Sequence, residues 1–259
     1  MKTPYYVVNA FTNRPFGGNP AGVCPLNSWL PDELMQKIAV ENDLSETAFF
    51  VPEGQGHRLR WFAPIGEVDL CGHATLASAH VLFNELGWAA PAVRFETRSG
   101  RLEVRRESGR FVMDFPVIPT ETGPTPEDLE EGLSAPIIES LTGMDHVAIL
   151  ASEDDVKNVE PQLAMLSRLD LRGVVVTAKG KTSDYVCRCF APKFGIAEDP
   201  VTGSIQCMLA PYWAEKLGKK RFTVRQLSAR GGEMIVELRG DRVLIGGEAR
   251  LYLKGEIEA

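Results

Sequence analysis

One local match constrains this chain more than any other feature: Arg60-Trp61-Phe62-Ala63-Pro64 recurs 128 positions later as Arg188-Cys189-Phe190-Ala191-Pro192. Past a three-residue insertion the offset becomes 131 and the two halves stay in phase. Leu86-Gly87 falls on Leu217-Gly218, Val93-Arg94 on Val224-Arg225, Gly100 on Gly231 and Gly109 on Gly240. Self-similarity at a fixed spacing predicts one structural unit made twice. A chain of 259 residues gives each copy enough length to bury a core of its own.

Each copy reads as a strand ending in Phe-Ala-Pro, a loop, an apolar helix closed by Gly, and strands separated by Gly turns. The first helix is predicted over about residues 74–86, with Gly87 as its stop. Leu76, Ala79, Val81, Leu82, Phe83 and Leu86 put apolar groups on most of its sides, and a helix of that kind is buried. The second is predicted over about 204–217, where Pro211 is expected to kink it or delay its start. Runs 92–97, 101–106 and 110–115, and in the second copy 222–227, 233–238 and 242–245, read as antiparallel strands. The expected fold class is therefore α+β, with two pseudo-equivalent lobes, each a curved, antiparallel-rich sheet wrapped around a central buried helix. The polar, Pro-containing stretch 119–136 is the expected linker between the two lobes.

Composition narrows the partners. The net charge is −7 and the 28 Lys and Arg are scattered, so no basic stripe suits a phosphate backbone and nucleic acid is not expected. The opening MKTPYYVVNAF is too short an apolar run for a signal peptide, and no stretch approaches the roughly 20 apolar residues that span a bilayer. A cytoplasmic protein without membrane contact is expected. Five unevenly spaced cysteines are an odd number and fit a reducing compartment. Cys187 and Cys189 stand two apart in a strand-like run and so face one way, into a core. No further Cys or His pair stands near them at zinc-site spacing, and no metal is expected.

The repeat also points to the chemistry. At offset 131, Cys71-Gly72-His73 corresponds to Thr202-Gly203-Ser204, each just before its buried helix. The unpaired N–H groups and positive dipole end of a helix N-terminus suit a carboxylate or a developing oxyanion. A duplicated chain is expected to place its site where such loops from both copies converge. The helix start also disfavours protonation of His73, leaving a neutral imidazole, while Ser204 reads equally as a helix cap. Glu198 and Asp199 precede the second loop and read as additions with no counterpart in the first, where Val68 and Asp69 stand. The Gly-rich run Phe16 to Gly22 fits neither a dinucleotide nor a P-loop pattern and reads as a turn.

Five pieces in order resemble the PhzF family, named for the isomerase of phenazine biosynthesis, within the wider diaminopimelate epimerase-like fold. They are Phe11-Thr12 with Gly18 to Val23, Ser45-Glu46-Thr47-Ala48, Phe62-Ala63-Pro64, Asp69 to Ala77 and Glu198 to Ser204. The resemblance spans essentially the whole chain and implies that the C-terminal strand returns to the first lobe, giving lobes of 1–117 with 248–259 and of 118–247. It implies a homodimer without a cofactor, in which Glu46 moves a proton and His73, Asp199 and Ser204 assist. It also implies that Asn19, Gly72, Thr202 and Gly203 bind a small carboxylic-acid substrate. Abstraction of a carbon-bound proton needs a nearby base and a donor for the charge that develops, and Glu46 can serve as that base. A two-thiol racemase or epimerase of an amino acid is the alternative, but Thr202 stands where the thiol partner of Cys71 would be. A non-catalytic protein that binds a small acid or a partner on the same fold is a third reading.

Overall fold

Val, Tyr and Ala dominate the opening run KTPYYVVNA, a composition suited to a pleated, half-buried surface, and it forms β1 (Lys2–Ala10). The computed structural model describes residues 2–259 and divides into two units, 1–114 with 246–259 and 115–245. In the first unit β1 pairs antiparallel with β2 (Asn19–Pro25). α1 (Asp32–Asn42) then crosses over to β3 (Glu46–Glu53), which lies parallel to β2. β4 (Gly56–Ala63) returns antiparallel to β3, and the short β5 (Gly66–Val68) folds back on it. After α2 (Gly72–His80), β6 (Ala92–Thr97) runs parallel to β4, followed by antiparallel β7 (Gly100–Glu107) and β8 (Arg110–Pro116).

The second unit repeats this order. β9 (Glu121–Gly123), α3 (Glu127–Leu133) and β10 (Glu139–Thr142) lead to β11 (His146–Ile149). α4 (Glu153–Asn158) and α5 (Leu163–Leu166) cross over to β12 (Val174–Lys179), parallel to β11. β13 (Tyr185–Ala191) and the short β14 (Ile196–Asp199) match β4 and β5. After α6 (Gln206–Leu217), β15 (Arg221–Gln226) runs parallel to β13, with β16 (Gly232–Arg239) antiparallel to it and β17 (Arg242–Gly247) following. The last strand, β18 (Ala249–Glu258), pairs with β1 of the first unit. The architecture is α+β, sheet-dominated, with one apolar helix packed against the strands of each unit.

The helices follow the physics read from the sequence, with two refinements. Residues 73–80 of α2 are all buried, and the helix packs against β1, β2 and β3. Its last turn widens to a π segment, Val81–Glu85, where the Leu86 N–H donates to the Val81 carbonyl, and Gly87 at φ 71° ends it. Leu86, counted above on the apolar surface, is exposed. In α6, Pro211 sits in mid-helix without breaking it. Proline offers no N–H to the Cys207 carbonyl four residues back, and the Ile118 N–H donates to that carbonyl instead, at 3.1 Å. The stretch expected as a linker is structured: α3 lies inside it, and Leu129 and Leu133 are fully buried with Leu166, Val174 and Phe190.

Burial of a titratable group on α2 gives a pH dependence. His80 is buried against the Phe111 ring, its Nδ1 faces the Asn84 amide at 3.1 Å, and Glu85 and Arg106 act on it with opposite signs. Burial pushes the His80 imidazole down to about 4 from its ordinary 6.5. The unfolded chain therefore takes up a proton below pH 6.5 that the folded chain refuses until about 4. Stability is full above pH 6.5 and falls as pH drops; by pH 5 this one group removes about 2 kcal/mol. Denaturant unfolding at pH 7.5 and pH 5 measures it: His80→Gln should lose less stability than wild type over that interval. Equal losses in the two proteins would refute the assignment to His80.

Candidate active site

In the first unit three element starts deliver the candidate side chains to one another. Asn19 opens β2, Glu46 opens β3 where it pairs in register with Ala21, and His73 lies in the first turn of α2. Gly18, at φ 67°, sets the entry to β2, and a Cβ there would run into the Ala10 carbonyl oxygen. Only glycine turns the chain there and leaves Asn19 fully buried behind it.

The resulting cluster is tight. Asn19 Nδ2 lies 3.3 Å from His73 Nδ1, and His73 Nε2 lies 3.2 Å from Glu46 Oε2. Cys71 Sγ is 3.5 Å from His73 Nδ1 and 4.0 Å from Nε2. Burial pushes the His73 imidazole down to about 3, so the ring is neutral near pH 7 and stands beside Glu46 as a neutral group and not as a cation. With the Asn19 amide N–H donating to Nδ1, the ring proton falls to Nε2, on the side of Glu46. Glu46 is the partly exposed member, while Asn19, Cys71 and His73 are buried. The zinc-spacing search on the sequence could not see this group, because its carboxylate comes from a strand 25 residues before Cys71.

The second unit holds its candidates in a different way. Asp199, at the end of β14, accepts through Oδ2 from the Thr202 hydroxyl at 2.6 Å. Gln226, buried on β15, braces the loop: its Oε1 accepts from the Thr202 N–H at 2.8 Å and its Nε2 donates to the Asp199 carbonyl at 2.7 Å. Gly203 and Ser204 form a tight turn, with Gln206 N–H bonded to the Gly203 carbonyl and Cys207 N–H to that of Ser204. α6 therefore starts at Gln206, later than expected, and Ser204 is not its cap. The Ser204 hydroxyl instead accepts from Arg172 Nη2 at 3.0 Å, and Arg172 is bidentate to the fully buried Asp145. Arg172, Asp145 and Gln226 carried no local sequence signal, since each acts on its partner across 24 or more residues.

The equal loops are less unequal than the sequence suggested. Arg188 is bidentate to Glu198, at 2.7 and 3.1 Å, and Arg60 is bidentate to Glu67, at 2.7 and 2.8 Å. Glu67 and Glu198 are 131 apart, so Glu198 does have a counterpart in the first copy, and both glutamates anchor an arginine that stacks over a Phe. Of the two acids, only Asp199, matched by Val68, lacks an acidic counterpart in the first copy.

Residues 8–255 match the phenazine biosynthesis-like protein family, PhzC-PhzF. An uncharacterized isomerase of Pseudomonas aeruginosa is 51% identical over 259 residues, covering 99% of both chains. The crystal structure of a PhzF family protein from Enterococcus faecalis matches with a TM-score of 0.98 at 46% identity over 100% of both chains. A hydroxyproline epimerase from Agrobacterium vitis, crystallised with trans-4-hydroxy-L-proline, shares the fold alone, with a TM-score of 0.66 at 11% identity over 99% of this chain and 92% of its own. Identity along the full length, together with the doubled α+β unit, shows that the chain belongs to the phenazine biosynthesis-like (PhzC-PhzF) family, among relatives named isomerases.

Proposed function

We propose that this protein is a cofactor-independent isomerase that moves a proton between carbons of a small unsaturated or cyclic carboxylic acid, with Glu46 as general base and then general acid. The observation that carries the reading is the partly exposed Glu46 carboxylate held 3.2 Å from a buried, neutral His73. A neutral imidazole leaves the carboxylate its basicity, whereas an imidazolium at the same distance would pair with it and weaken it as a base. In the proposed step Glu46 takes a proton from carbon, and the electron pair of the broken C–H bond moves into the conjugated acid. The Glu46 carboxylic acid then returns the proton to a neighbouring carbon, so atoms and charge balance without another reactant.

His73, Asp199 and Ser204 are proposed to assist, and Asn19, Gly72, Thr202 and Gly203 to bind substrate. Asn19 acts on His73 as a positioning residue, and Gln226 and Arg172 hold Thr202 and Ser204. The active form is proposed to be a homodimer; light scattering that shows only monomer would remove that element. A second reading, an amino-acid racemase or epimerase, is favoured by one contact, Cys71 Sγ at 3.5 Å from His73, which resembles a thiol beside its base. The experiment is incubation of a panel of unsaturated, cyclic and hydroxylated carboxylic acids with the protein in deuterated water, read by NMR. Deuterium entering a carbon adjacent to a double bond supports the proposal. Exchange at the α-carbon of an amino acid supports the second reading, and saturable binding without exchange refutes both in favour of a binding protein.

A further inference from the structure

The Glu46–Cys71–His73 cluster brings together three different donor atoms, a carboxylate oxygen, a thiol sulfur and an imidazole nitrogen, all within 4.8 Å of one another. We propose that this cluster is a binding site for a single Zn2+ ion. A tetrahedral zinc with bonds of about 2.0–2.3 Å separates a nitrogen and an oxygen ligand by about 3.4 Å, and a sulfur and a nitrogen ligand by about 3.6 Å. The observed separations are 3.2 Å for His73 Nε2 to Glu46 Oε2 and 4.0 Å for Cys71 Sγ to His73 Nε2. These two separations need change by only a few tenths of an ångström, and the third, Cys71 Sγ to the Glu46 carboxylate, lies within 4.8 Å and closes by rotation of the Glu46 side chain onto the ion.

The donor set selects the ion. A thiolate and an imidazole favour zinc and its borderline-soft neighbours, while magnesium and calcium take oxygen ligands and are disfavoured. Charge supports the assignment, since a thiolate and a carboxylate together cancel the two charges of Zn2+ and leave a neutral group in a largely buried place. On binding, Cys71 gives up its thiol proton to solvent, and the His73 ring proton moves from Nε2 to Nδ1 to free the metal-binding lone pair. Asn19 already lies against Nδ1 and, with its amide turned over, accepts that proton through Oδ1, as outer partners of metal-bound histidines do. The partial exposure of Glu46 gives the ion its way in and leaves the fourth position to water. Zinc on Glu46 also removes the carboxylate from proton transfer, so occupied protein is the inactive form; that consequence, but not metal binding itself, rests on the function proposed above.

Metal titration of the intact protein tests the site without any substrate. Co2+ should bind at one equivalent and give thiolate-to-cobalt charge-transfer absorption, which Zn2+ should then abolish by displacement. Cys71→Ser should lose that absorption and Glu46→Gln should weaken Zn2+ binding by roughly tenfold or more, while Cys24→Ala keeps both signals. Charge-transfer absorption that survives Cys71→Ser would place the metal on one of the other four cysteines, Cys24, Cys187, Cys189 or Cys207, and overturn the proposal. Absence of the absorption in wild type, or Zn2+ affinity indifferent to Glu46→Gln, would overturn it as well. Failure of proton exchange in the substrate panel with metal binding intact would instead count against the isomerase reading alone.

Discussion

Glu46→Gln is expected to abolish proton exchange while leaving the fold and substrate binding in place. The substitution keeps the side-chain volume, so the Gln amide can occupy the same place, 3.2 Å from His73 Nε2. What it deletes is the ability to take a proton from carbon. General acid–base groups contribute roughly 10²–10⁴-fold, and a residue that both removes and returns the proton belongs at or above the upper end. His73→Gln and Asp199→Asn should cost less, because each would orient or polarise without carrying the transferred proton. Cys71→Ser should keep most activity, since the position matching it in the second copy is Thr202 and a two-thiol mechanism has no partner there. The measurement is the rate of deuterium incorporation for each variant against wild type, with binding followed separately. Exchange that survives Glu46→Gln and disappears with Cys71→Ser would transfer the chemistry to the thiol.

How far the sequence could be read depended on whether a residue's partner was local. The strands after each helix were legible to within two residues because Gly turns bound them, as with β6 (Ala92–Thr97) and β16 (Gly232–Arg239). The burial of α2 was legible because apolar residues surround it. His73 was legible from the repeat, but Asn19 and Glu46 were reached through the family resemblance and not through pattern, since nothing local to β2 and β3 says that their first residues meet one helix start. The stretch 119–136 misled because its polar, Pro-containing composition hides two leucines, Leu129 and Leu133, that fill the second core. Glu198 misled because the three-residue insertion shifts the register of the repeat just before it, and the bidentate arginine, invisible in the text, is what fixes its true counterpart, Glu67. Arg172 and Gln226 were out of reach for a related reason. Each is an unremarked polar residue whose meaning comes from a buried partner elsewhere, Asp145 or the Thr202 backbone.

Arg188→Met is expected to destabilise the protein by about 3–5 kcal/mol, the cost of breaking a largely buried ion pair by removing one partner. The guanidinium, largely buried on β13, makes two bonds to Glu198 and three more through Nη1, to the carbonyls of Val156, Lys157 and Val159 at 3.2, 3.3 and 2.7 Å. Methionine fills the space over Phe190 but leaves a carboxylate and three carbonyl oxygens without that donor. Against a typical total of about 5–15 kcal/mol the loss is a large fraction. Its counterpart Arg60→Met should cost clearly less: Glu67 keeps a second partner in Arg98 Nη2 at 2.7 Å, and the other acid, Asp32, is solvent-exposed. The pair also bears on the site, because Glu198 immediately precedes Asp199, and β14 holds Asp199 opposite Cys189 on β13. Arg188→Met should therefore lower exchange activity in the fraction that stays folded, whereas Arg60→Met should not act through Asp199. A double variant, Arg188→Met with Glu198→Gln, should recover part of the loss, because it no longer leaves an uncompensated charge. Denaturant unfolding of the four proteins decides the matter: equal losses for Arg188→Met and Arg60→Met, or a double variant no better than Arg188→Met alone, would mean that packing over Phe190, and not the ion pair, is what Arg188 contributes.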